Sequence, residues 1–133
     1  MIGRLPSAAG LVLALVTAGC APPATAGETI EITIRYSRFS PAAIDVRAGA
    51  PVTIVLRNDD PIEHEWIVGT EEVHQRHRDG TDPVHDTLPE EVTVPALSTR
   101  VTTLTFPRPG LYLMICHLPG HEAYGMVGTV RVR

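Results

Sequence analysis

Lysine is absent. All 11 basic residues of the 133-residue chain are Arg, and 15 carboxylates outnumber them, for a formal charge of −4. With no Arg cluster, the chain lacks the electrostatic footprint of a nucleic-acid binder. Cysteine is scarce as well, and two residues cannot supply the bridges of a disulfide-dense scaffold. No apolar run reaches the about 20 residues that a membrane-spanning helix needs. No sustained face of 3.6-residue period exists, and nothing repeats. What remains is a chain sized for one small domain, with 44% hydrophobic residues to build its core.

The first residues differ from the rest. Arg4 provides a short positive region, Ala8 to Ala18 is almost wholly apolar, and small residues lead into Cys20. This layout marks residues 1–19 as an export signal to be left out of fold reasoning. The run Thr17-Ala18-Gly19-Cys20 resembles the lipobox of bacterial lipoproteins, in which the cysteine becomes a lipid-bearing N-terminus. That resemblance implies a chain anchored on the outer face of the cytoplasmic membrane. The alternative is ordinary cleavage near Ala26, with Cys20 discarded. Residues 20–28, with Pro22 and Pro23, read as a tether, and 29–133 as the folded domain. With Cys20 acylated or removed, Cys116 is the one thiol of an exported domain, a liability unless something occupies it. A Cys20–Cys116 disulfide is the other reading, and it leaves the lipobox without a purpose.

From Thr29 the hydrophobic pattern has period two. Ile30, Ile32 and Ile34 alternate with polar residues, and Val52–Leu56, His64–Val68, Leu111–Cys116 and Val127–Val132 are further strand-like runs. Phe39, Ile44 and Val46, and then Val101, Leu104 and Phe106, mark others, with Gly and Pro punctuating the turns. The pattern is all-β and predicts an antiparallel Greek-key β-sandwich or barrel. Gly69 to Pro95 is too long and polar for a hairpin connection, and Thr70 to Arg78 within it can form two turns of helix. Eleven of the 15 acidic residues fall between Asp59 and Glu91, which predicts one strongly negative side.

The richest chemistry lies in Cys116-His117-Leu118-Pro119-Gly120-His121-Glu122-Ala123-Tyr124-Gly125-Met126. A thiolate, an imidazole and a thioether come from one loop, spaced Cys-x4-His-x4-Met so that all three can converge. The thiolate and thioether favour Cu(I), and imidazole also serves Cu(II). A second imidazole must come from an earlier strand, and His64 is the best placed. Gly120 and Gly125 suit a loop that needs positive φ. The residues Phe39-x-Pro41-x-x-Ile44-x-Val46-x-x-Gly49-x-x-Val52, with this loop, resemble the small blue-copper proteins of the cupredoxin family from about Thr29 to Arg133. The resemblance implies one mononuclear copper held by His64, Cys116, His121 and Met126 that passes single electrons. Family members often carry Asn or Ser directly after the first histidine. Here Glu65 stands there, which leaves the hydrogen bonding around the Cys116 sulfur open.

Other readings compete for some of these residues. His117 can replace His121 by spacing alone, although strand alternation points it away from the metal held by Cys116. His74, His77 and His85, beside Asp82 and Asp86, form either a second, labile divalent-metal site or a solvated acidic loop that happens to hold histidine. His74 and His77 share a face if their segment is helical. Trp66 reads as core filling beside the site. Four protein ligands leave no open position for substrate, so a non-enzymatic, membrane-tethered carrier is expected. It would act as a monomer and meet a redox partner with a basic docking face. The alternative is copper delivery or sequestration without electron shuttling.

Overall fold

The computed structural model describes residues 27–81 and 88–133. The expected leader 1–19, Cys20 with nearly all of the tether, and Asp82, His85 and Asp86 lie outside the described residues. The elements run β1 (Glu28–Ile34), β2 (Phe39–Ser40), β3 (Ala43–Val46), β4 (Pro51–Asn58), β5 (His64–Gly69), α1 (Glu71–Arg78), β6 (Glu91–Val94), β7 (Thr99–Thr105), β8 (Gly110–Ile115), α2 (His121–Tyr124) and β9 (Val127–Val132). One sheet has the order β2-β1-β4-β7 and the other β3-β9-β8-β5-β6. The all-β sandwich read from the sequence is the architecture found.

Each sheet turns one face inward, so the period-two runs become a shared core. Ile32, Ile34, Ile54 and Leu56 from the first sheet meet Trp66, Val94, Met114 and Val130 from the second, all of them fully buried. Two pairings are parallel, β1 with β4 and β3 with β9. That departs from the antiparallel expectation. The chain crosses to the other sheet for β3 before returning as β4, so β4 runs beside β1 in the same direction. Val101 and Leu104 prove to lie on opposite faces of β7, with Val101 exposed and Leu104 buried.

The described parts of the polar stretch after Gly69 hold more secondary structure than its composition suggested. Its start is helical as expected, and Glu71 and Glu72 in the first turn with Arg76, His77 and Arg78 in the last complement the helix dipole. Its end is a true strand. β6 pairs with β5 from His64↔Val94 to Ile67↔Glu91 and drops Val94 into the core. Only two apolar residues alternate in β6, too short a pattern to separate from loop in the sequence.

Asn58, at the end of β4, ties the sheets together beneath the loops. It is almost fully buried, and its side-chain amide donates toward the carbonyls of Ile62 (2.8 Å), Pro95 (3.0 Å) and Val94 (3.1 Å). Its Oδ1 accepts the N–H of Asp60 at 2.9 Å. Replacing it with Ala strands several buried polar groups at about 1–3 kcal/mol each. Asn58→Ala should therefore lower the urea midpoint by a roughly 2–4 kcal/mol loss of stability. A change within about 0.5 kcal/mol, typical of surface substitutions, would refute this role.

Candidate metal centre

Three residues far apart in sequence meet at one end of the sandwich. His64 opens β5, Cys116 directly follows β8, and His121 begins α2. Their donor atoms all lie within 4.8 Å of one another. His121 Nδ1 stands 3.2 Å from His64 Nδ1 and 3.3 Å from the Cys116 sulfur. His64 and Cys116 are fully buried, while His121 keeps partial exposure.

The loop is shaped locally. Gly120 and Gly125 both adopt left-handed φ, +84° and +97°, and bracket α2. That region is open to glycine at little cost. The turn carries Met126 back under the site. Its carbonyl accepts the Cys116 N–H at 3.2 Å and its N–H donates to the His121 carbonyl at 2.9 Å, so Met126 is fastened to both residues and is itself fully buried. The sulfur of Cys116 accepts the backbone N–H of Glu65 at 3.3 Å. This bond comes from the main chain, so it does not depend on the side chain at position 65.

Asp60 orients His64. Its Oδ2 accepts the His64 Nε2–H at 2.9 Å, which leaves Nδ1 as the bare donor atom facing the site. The same carboxylate accepts the N–H groups of Tyr36 (2.7 Å) and Ser37 (2.8 Å). Burial alone would raise this carboxyl, but those two amides and His64 hold it below its usual value. Burial lowers His64 below an ordinary histidine despite Asp60, so its ring is neutral at pH 7. Burial also raises the Cys116 thiol, although the amides of Glu65 and Leu118 oppose the rise. A metal entering at neutral pH must displace that proton.

The family model for the cupredoxin-like domain matches residues 7–130. The chain belongs to the cupredoxin-like family. A relative from Rubrivivax gelatinosus, the copper-resistant cuproprotein CopI, is 33% identical over 114 residues, covering 83% of this chain and 69% of that one. Auracyanin A of Chloroflexus aurantiacus, described as a "blue" copper protein, superposes with a TM-score of 0.65 at 27% identity, over 81% of this cupredoxin and all of that chain. Dithionite-reduced auracyanin of Roseiflexus castenholzii shares the fold, with a TM-score of 0.68 at 23% identity over 81% and 98% of the two chains. The donor chemistry fits the family's metal. One thiolate and two imidazoles, spaced for bonds of about 2.0–2.3 Å to a single ion, form a set that suits copper.

His117 does not join this group. Its ring lies on the other side of the β8 end, where Nε2 is 2.9 Å from His74 Nδ1. The His77 ring stacks on it at 5.1 Å, and Nδ1 is 3.6 Å from Glu122. His74 and His77 thus share a face, as helical spacing predicted. The solvated-loop reading fails for His74, which is fully buried. Sequence reasoning missed two features of the cupredoxin site. The short helix α2 carries too few residues to show a period. Asp60, four residues before His64, was counted only as part of the acidic run, although buried carboxylates are rare unless paired.

Burial lowers three histidines of the metal-free chain: His64, His74 and His117, the last to about 4. A histidine whose folded pKa is depressed adds stability above its unfolded value of 6.5, and that stability is lost as pH falls toward the folded value. Asp60, held below 3.8, keeps its contribution throughout that window. Urea midpoints of the metal-free cupredoxin should therefore drop steadily from pH 7 to about 4. A flat profile there would contradict the buried, neutral state of these rings.

Proposed function

We propose that this cupredoxin is a type 1 copper protein that carries single electrons on the extracytoplasmic side, tethered to the membrane through Cys20. The observation that carries the reading is the buried convergence of His64 and Cys116 with the partly exposed His121. Met126, fully buried and fastened through its backbone to Cys116 and His121, would supply the fourth donor. Copper held there supplies a one-electron couple between Cu(I) and Cu(II). His64 and Cys116 are locked by Asp60 and the Glu65 amide, so the donors need little rearrangement between the two states. His121, alone among the three in reaching solvent, offers the route by which an electron enters and leaves. Four protein ligands leave no position for a substrate, which supports a carrier over an enzyme.

The exposed acidic residues Asp59, Glu63, Glu71, Glu72 and Asp79 support a redox partner with a basic face, met by a monomer of this chain. A lipid anchor would raise the local concentration of carrier and partner without tight affinity. A second reading, copper delivery or sequestration, draws support from the relative named as a copper-resistant cuproprotein. Stopped-flow reduction of the copper-loaded chain by a basic one-electron protein separates the two. The carrier reading expects copper to stay bound, and the rate to fall at least about 10-fold from low salt to about 1 M, where screening acts over about 3 Å. Transfer of Cu(I) to a metal-free acceptor, with no electron exchange at any salt, would overturn the carrier reading.

A further inference from the structure

Asp60 stands one imidazole ring behind the metal-facing nitrogen of His64. Its Oδ2 accepts the His64 Nε2–H at 2.9 Å, and the two side chains are 9% and 0% exposed. The carboxylate also accepts the N–H groups of Tyr36 at 2.7 Å and Ser37 at 2.8 Å. Every one of these contacts favours the ionised form, which accepts at both oxygens.

No guanidinium offsets that charge. Among the described residues no Arg pairs with Asp60, and Arg57, three positions earlier, is held by Glu31 (3.1 Å) and Asp59 (2.8 Å). The neighbouring carboxylates are placed differently. Asp59 and Glu63 are exposed, while Glu65 is half-buried on the face of β5 opposite to His64. Among the described residues, Asp60 is thus the one carboxylate that hydrogen-bonds a side chain of the metal centre.

Such a charge does not act alike on the two oxidation states of copper. With one thiolate and two neutral imidazoles, the centre carries one net positive charge as Cu(II) and none as Cu(I). Coulomb attraction to a buried carboxylate therefore reaches the oxidised centre and is nearly absent from the reduced one. The hydrogen bond from Nε2–H to a carboxylate also makes the opposite ring nitrogen a stronger donor. Stronger nitrogen donation favours Cu(II) again, because the sulfur ligands already serve Cu(I). Both effects have the same sign.

We propose that Asp60 is a positioning residue that acts through His64 to favour Cu(II) over Cu(I), and so lowers the reduction potential of the centre. The inference rests on copper at His64, Cys116 and His121, and not on whether that copper carries electrons. A residue that only aimed the ring would tighten both oxidation states alike and leave the potential unmoved.

Asp60→Asn, compared with the wild-type chain in Cu(II) affinity, Cu(I) affinity, reduction potential and thiolate charge-transfer colour, tests this. Colour in the wild-type chain first checks the copper assignment, and colour in the variant shows that it folds around the metal. Cu(II) affinity should fall by about 10–100-fold, the usual cost of losing such a partner, and Cu(I) affinity by much less. Each tenfold gap between the two losses raises the potential by about 59 mV. Asp59→Asn, one residue away on the surface, should keep the wild-type potential. The hydrogen bond itself can be read without any variant, in the nitrogen-15-labelled chain loaded with diamagnetic Cu(I). There the His64 Nε2–H should give a resonance that survives transfer into deuterated solvent. Equal losses of both affinities with an unchanged potential, the same rise in Asp59→Asn, or no protected proton on His64 would each overturn the proposal.

Discussion

Three electron-rich atoms crowded together, on two residues shut away from water and a third that only partly reaches it, are the constraint on which the site rests. His64 Nδ1 and the Cys116 sulfur both approach His121 Nδ1 to 3.2–3.3 Å, and neither His64 nor Cys116 touches solvent. Bare lone pairs at such distances repel unless a proton or a cation lies between them. The sandwich holds them there regardless. β5 and β8 are paired neighbours in one sheet, and α2 is pinned between two left-handed glycines. The fold therefore spends conformational freedom before any metal arrives, which is what preorganisation of a metal site requires.

Asp60 extends that preorganisation into the surrounding backbone. Besides aiming His64, it accepts the amides of Tyr36 and Ser37 at its carboxylate and that of Leu97 at its carbonyl. Those three are the non-glycine residues with left-handed φ among the described residues, at 52–54°. Each such residue costs on the order of 1 kcal/mol and persists only where its surroundings over-determine it. Asn58 in turn holds the Asp60 amide. A chain of buried polar contacts thus runs from the core edge through Asn58 and Asp60 to the metal-facing nitrogen of His64. Loops that would otherwise relax are held against the site.

Much of this was legible in the sequence, for identifiable reasons. The Cys-x4-His-x4-Met spacing and period-two strands are local patterns, and local patterns survive in one dimension. Ile32, Ile34, Ile54 and Leu56 alternate so regularly that their inward face could be read directly. Long-range features were harder. The parallel pairing of β1 with β4 follows from a crossover that no local pattern encodes. β6 hid inside a polar stretch because Glu91, a charged residue, is one of its buried positions. Asp60 looked like one carboxylate of many until its partners were seen. His117 and His74, 43 residues apart, become neighbours only because α1 packs back on the β5 and β8 region.

The family match and the donor geometry bear on the same metal from independent directions. The first is carried by sequence over residues 7–130, the second by distances among three side chains. X-ray absorption at the copper edge, on the chain loaded with one equivalent, tests their agreement most directly. The account predicts one short copper–sulfur scatterer near about 2.3 Å and two nitrogen scatterers near about 2.0 Å. A first shell of nitrogen and oxygen alone, with no sulfur in it, would contradict it.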